Sequence, residues 1–292
     1  MEENDPQPPR FYPMLGPGMR VWLLVGLYFA CMGLLMVLAR SNTFAWLSAG
    51  PDDGYPVDYS RWANAISGIL VFAVPAVVFA NVFPMERFGW FRLNVKVKPL
   101  ALACGVVAMI AFIPVADWLY TLILSHVTDP ALKEYQEAMQ KTSQWSDQMP
   151  ALRDLFIMLL TSALVPAVCE ELFFRASLQQ LFVEWMPNWS KLSPWFTAAI
   201  FSLIHFNPAA FPVIFLAGLM LGYAFLWTGS LRITILMHFF FNGTSILENY
   251  AAQHSPAVAA WEPSGFFIAA CVVVTFVSFG LVMRFSGMKE RS

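Results

Sequence analysis

Charge is scarce in this sequence. Only 12% of its 292 residues are Asp, Glu, Lys or Arg, about half the ~25% of ordinary soluble domains. The net charge is −2, so no basic face invites nucleic acid. Cysteine is equally sparse. Cys31, Cys104, Cys169 and Cys271 lie scattered through apolar stretches without CxxC spacing, which argues against a disulfide framework and against a cysteine-rich metal site. The chain has no internal repeat, no low-complexity tract and no soluble domain. Its first 20 residues are polar and rich in Pro and Gly, with neither the basic start nor the cleavage site of a secretory signal. They are expected to be retained as a flexible tail.

Apolar residues are abundant: 58% of the chain, with 27 Phe, 15 Met and 11 Trp. A water-soluble fold cannot hide that much apolar surface, because a single core stops growing near ~250–300 residues. The bilayer must be part of the solvent. A membrane core takes ~20 apolar residues as helix, and about eight segments qualify: Val21–Ala39, Ala63–Phe83, Pro99–Leu124, Leu155–Phe182, Ser193–Phe206, Phe211–Trp227, Ile233–Tyr250 and Gly265–Met283. The longest polar connection, Ser125–Arg153, holds one helical patch around Ala131–Gln140. With the amino terminus inside, 12 of the 17 Lys and Arg residues fall on the inner face or its border and 5 on the outer face. The excess of inner positive charge predicts that both termini are cytoplasmic.

Ionisable groups inside membrane spans are costly and mark function by default. Here they concentrate in three of the last five segments. The fourth carries Glu170, Glu171 and Arg175. Glu171 and Arg175 are four apart and can pair on one helix face, whereas Glu170 points about 100° away. Pro166 has no N–H for the carbonyl of Ser162, so the helix should bend one turn before the glutamates. The run Ala151–Phe182 would extend ~48 Å as a straight helix, so it must tilt, bend or project. The fifth segment carries Phe201-x-x-x-His205 followed by Asn207-Pro208, and the seventh carries His238-x-x-x-Asn242 with only phenylalanine between. Each feature has a plain structural reading. Glu171–Arg175 can be a structural pair, and His205, His238 and Asn242 can be hydrogen-bonding glue between helices. Cys169 reads as a packing residue, and His126 and His254 as solvated loop residues. Chemistry gains weight only if the glutamate, the histidines and the asparagine are buried against one another.

Taken in order on successive segments, Glu170-Glu171-x-x-x-Arg175, Phe201-x-x-x-His205 and His238-x-x-x-Asn242 resemble the CPBP family of CAAX prenyl proteases and bacteriocin-processing or self-immunity proteins. The turn Thr228-Gly229-Ser230-Leu231 also looks like that family. The resemblance runs from about Leu155 to Tyr250. It implies an all-α bundle of about eight transmembrane helices, with a cavity open toward the cytosol, acting as an intramembrane endopeptidase on membrane-proximal peptides. The chain then divides into a cytoplasmic tail (1–20), amino-terminal transmembrane helices with an outer loop (21–150), a catalytic core (151–250) and a last helix with its cytoplasmic tail (251–292). On this resemblance Glu170 would activate water, assisted by His205. His238 and Asn242 would stabilise the oxyanion, and Glu171 with Arg175 would hold the site together. A carboxylate starved of water is the stronger base, and a same-face donor pair suits developing negative charge. The family has also been described as metal-dependent. Glu170, His205 and His238 would then be three zinc ligands with an open position for water. Without a local HExxH helix, a metal-free glutamate mechanism is the expectation. The implied partners are a peptide or protein substrate and the lipid bilayer; the implied location is a bacterial plasma membrane. Two other functions compete: a non-catalytic scaffold or self-immunity protein, and a transporter that relays protons through its buried Glu and His. The absence of inverted repeats weighs against the transporter.

Overall fold

The computed structural model describes residues 15–48, 50–82 and 87–286, and every regular element among them is helical. The main helices are α1 (Pro17–Ala39), α2 (Val57–Val82), α3 (Pro99–His126), α4 (Pro130–Ser146), α5 (Leu152–Trp185), α6 (Ser193–Leu203), α7 (Phe211–Thr228), α8 (Leu231–His254) and α9 (Gly265–Phe285). Helix α1 begins at Pro17, so the expected flexible tail is helical in its last residues; residues 1–14 lie outside the described part, as do Phe83 at the end of the second expected span, Arg10, Lys289 and Arg291. Local signals set several ends. Asp129 caps α4 by accepting from the Leu132 N–H at 2.9 Å, with Pro130 as its first residue, a favoured start. Gly229 closes α7 at φ 64°, donating its N–H to Phe225 O at 2.8 Å, the left-handed stop that glycine takes without strain.

Among the described residues, six helices are long and apolar enough to cross a membrane: α1, α2, α3, α5, α7 and α9. The protein is an integral membrane protein. The other two expected spans exist as helices with a different character. Helix α8 is 24 residues long, but His238, Asn242, Ser245 and Glu248 dilute its hydropathy. Helix α6 has 11 residues, about 16 Å, roughly half of a ~30 Å hydrocarbon core. It stops at Leu203, short of the expected Phe206. Helix α4 reaches further than the patch expected at Ala131–Gln140.

The segments alternate between two ends of the bundle. At one end Arg20 of α1 pairs with Glu184 of α5 at 3.1 Å, and Ser230 donates to Val95 O at 2.8 Å. At the other, Gln253 of α8 accepts from the Met149 N–H at 2.8 Å. There the fully buried Arg61 of α2 binds Asp58 at 2.8 Å and Asp154 at 3.1 Å, and donates to the Ser146 and Gln148 carbonyls. This buried cation fixes the corner from which α5 starts.

Helices α1 and α9 are peripheral and present Trp22, Phe29, Phe266 and Phe276 outward, whereas α5 is central. One apolar core gathers Leu24, Phe79, Phe173, Phe174 and Phe201 from α1, α2, α5 and α6. A second gathers Met109, Phe112, Leu221 and Met237 from α3, α7 and α8. The polar residues of α5, α6 and α8 meet between them.

Candidate active site

Helix α5 departs from α-helical winding twice, with π-helical turns at Leu159–Leu164 and Phe174–Gln179. They bracket the α-helical stretch Val165–Phe173 that bears the two glutamates. Such turns cost hydrogen-bond geometry and recur at functional sites. The proline signal at Pro166 points to this region, but the sequence does not announce the winding change. The carbonyl that Pro166 cannot serve in an α-helical pattern, that of Ser162, accepts instead from Asn242 Nδ2 of α8 at 3.4 Å.

Glu171 and Arg175 are both fully buried and joined at 2.8 Å. Arg175 also donates to the Gly218 carbonyl of α7 at 3.2 Å, and its guanidinium lies over the Phe201 ring, 4.7 Å from the centroid. One turn further along α5, Gln179 donates to the Gly222 carbonyl at 2.8 Å. The two glycines let α6 close on α7 beside these bonds: a Cβ at Gly222 would stand 2.9 Å from the Pro194 side chain and one at Gly218 3.1 Å from that of Ala198. Glu171 has a second partner that spacing alone could not show. The same oxygen that binds Arg175 accepts from His238 Nδ1 at 3.0 Å.

With Nδ1 committed to Glu171, the Nε2 atom of His238 faces Glu170, 3.9 Å from its carboxylate. His238 is 5% exposed, and the Glu170 side chain 14%. Glu170 makes no hydrogen bond among the described residues. Two adjacent glutamates are thus divided between one bound through a single oxygen to Arg175 and His238 and one that is open to the cavity. His205 follows the end of α6, and its Nδ1 lies 2.6 Å from the Phe201 carbonyl. Since a carbonyl only accepts, Nδ1 carries a proton, which leaves Nε2 turned away from that bond and, in the neutral ring, with a lone pair. The Phe201 ring stands edge-on to both imidazoles, with centroids 4.8 Å from His205 and 6.1 Å from His238. Phe201 therefore separates the two histidines and seats Arg175.

Glu170, His205, His238 and Asn242 line one cavity of about 390 Å³, walled by Ser162, Pro166 and Phe201 and reached by Asn64 of α2. Asn64 carries no sequence signal: it is one polar residue in a half-exposed helix. Cys169 is buried and, like Cys31, Cys104 and Cys271, unpaired. His126 and His254 are both exposed, at the ends of α3 and α8 instead of in loops, with Nδ1 2.8 Å from Leu122 O and 2.9 Å from Tyr250 O respectively. No three His, Cys, Asp or Glu side chains among the described residues stand close enough to share an ion. In this arrangement Glu170, His205 and His238 do not form a three-ligand set.

Chemically, the cavity offers an uncommitted carboxyl group, an imidazole whose Nε2 is free, a second imidazole gripped by a buried carboxylate, and an amide. No match to the chain was found among curated proteins or solved structures. Residues 152–244, which hold every one of these groups except Asn64, match the family model of type II CAAX prenyl endopeptidase Rce1-like proteins.

Proposed function

We propose that the protein hydrolyses peptide bonds next to the membrane with a water activated by Glu170. The observation that carries this reading is the unequal treatment of the adjacent glutamates: Glu171 is held by Arg175 and His238, while Glu170 faces the cavity without a hydrogen bond among the described residues. In this mechanism the Glu170 carboxylate takes a proton as the water oxygen bonds to the scissile carbonyl carbon. His205 Nε2 accepts a hydrogen bond from the same water. The carbonyl electrons move onto oxygen, and Asn242 Nδ2 and His238 Nε2 donate to it. For Nε2 to donate, the His238 ring must carry both protons. Glu171 at Nδ1 and Glu170 beyond Nε2 supply the opposite charges that such a ring needs. As the C–N bond breaks, the Glu170 proton passes to the leaving nitrogen.

The test uses purified protein and an internally quenched peptide ending in a farnesylated CAAX sequence, with its unlipidated twin. Cleavage by the wild type is expected to survive exhaustive chelation and removal of the chelator. Activity lost to chelation and restored by zinc would replace the carboxylate mechanism with a metal one.

Asn242→Ala is expected to lower kcat by about 10²–10³-fold with KM nearly unchanged, since its contact strengthens only in the transition state. The Ser162 carbonyl already holds the amide, so orientation needs no help from substrate. A normal kcat with a raised KM would make Asn242 a substrate-binding residue instead.

We also propose that the end bearing Arg20, Arg92, Lys96, Lys98, Lys191, Arg232 and Arg284 faces the cytoplasm of a bacterial plasma membrane, by the excess of positive charge there. Cysteines introduced along α4 should react with an impermeant maleimide from outside, and a cysteine at Lys96 should not. The opposite labelling would invert the orientation.

A further inference from the structure

The chain leaves α6 through a conformation that phenylalanine rarely takes. Phe206, directly after His205, has φ 50°, the left-handed region that a Cβ penalises. Backbone held there persists only where its surroundings enforce it, and such positions cluster at functional sites. The enforcement comes from α4. The Tyr135 hydroxyl donates to the Phe206 carbonyl, and Gln136 Nε2 donates to Asn207 Oδ1 at 3.1 Å. That same Oδ1 accepts from the Ala210 N–H at 3.1 Å, where α7 begins, and Gln136 Oε1 accepts from the Tyr120 hydroxyl of α3 at 3.4 Å.

The docking of α4 is peculiar for a surface helix. Gln136 is its one buried residue among those described, so an amide, not an apolar stripe, occupies the seat. A helix that only shielded apolar surface would bury leucines there. An amide held at both ends fixes position instead of supplying burial. We propose that Tyr135 and Gln136 are positioning residues for His205: they clamp the strained Phe206–Asn207 turn and so set the imidazole against the cavity. This rests on the peptidase reading above, in which His205 assists the attacking water.

The variants are Tyr135→Phe, Gln136→Ala, and Tyr135→Phe combined with Phe206→Asn, because asparagine tolerates the left-handed region far better than phenylalanine. They are measured on the quenched farnesylated peptide, together with amide exchange across residues 204–210 without substrate. Tyr135→Phe and Gln136→Ala are expected to lower kcat about tenfold with KM within about twofold, and to speed exchange in the turn. Adding Phe206→Asn to Tyr135→Phe should restore kcat to within about threefold of wild type and slow exchange again, because the turn no longer needs the clamp. An unchanged kcat in Tyr135→Phe, a loss confined to KM, or a kcat loss that Phe206→Asn does not repair would each overturn the proposal. A wild type that leaves the peptide uncut counts against the peptidase reading alone. The clamp is then decided by exchange, supported if Tyr135→Phe speeds it and the double variant reverses it, and overturned if the rates match.

Discussion

Glu170→Gln is expected to lower kcat by about 10⁴-fold, the upper end of what one general acid–base group contributes, because the same carboxylate serves twice, taking the proton from water and returning it to the amine. Melting in detergent should match the wild type. The substitution conserves shape, and Glu170 gives up no hydrogen bond among the described residues. It sits at the cavity wall instead of inside a buried pair. A purified Glu170→Gln protein with ordinary turnover would remove the carboxylate from the mechanism. One that melts far below the wild type would make Glu170 structural.

Arg175→Ala and Glu171→Ala should behave in the opposite way, losing stability and activity together. Both side chains are fully buried, and removing one partner of a buried pair costs about 3–5 kcal/mol because the other charge remains stranded. Arg175→Ala also vacates the Gly218 carbonyl and the Phe201 ring. Glu171→Ala also frees His238, so its activity should fall further than its stability explains. Replacing both at once, as Glu171→Gln with Arg175→Met, should cost less than the sum of the single changes, since no lone charge is left. Thermal unfolding of the singles at the wild-type temperature would contradict the pairing.

The membrane class of the protein was legible because it depends on average hydropathy, which single residues hardly disturb. The pairing of Glu171 with Arg175 was legible because i, i+4 geometry is local. What the sequence could not convey was long-range or backbone-specific. Spacing assigns Glu171 one partner, yet His238, 67 positions later, is the second, and only the packing of α8 on α5 brings it there. The bend anticipated at Pro166 takes the form of π-helical turns on both sides of the glutamates, and no composition rule distinguishes a π turn from a kink. Helix α6 ends at Leu203 instead of Phe206 because its apolar run continues past the helix into the left-handed turn at Phe206. Arg61 reads as an outer-face charge, but Asp58 and Asp154 together with two carbonyls make its burial tolerable.

The central claim is that Glu170 drives proteolysis in the membrane, and the most direct measurement compares peptides released from otherwise identical membranes containing wild-type protein or Glu170→Gln at equal abundance. A set of membrane-proximal peptides should be present with the wild type and missing with the variant. Identical peptide profiles would contradict it and leave the fold as that of a non-catalytic membrane scaffold.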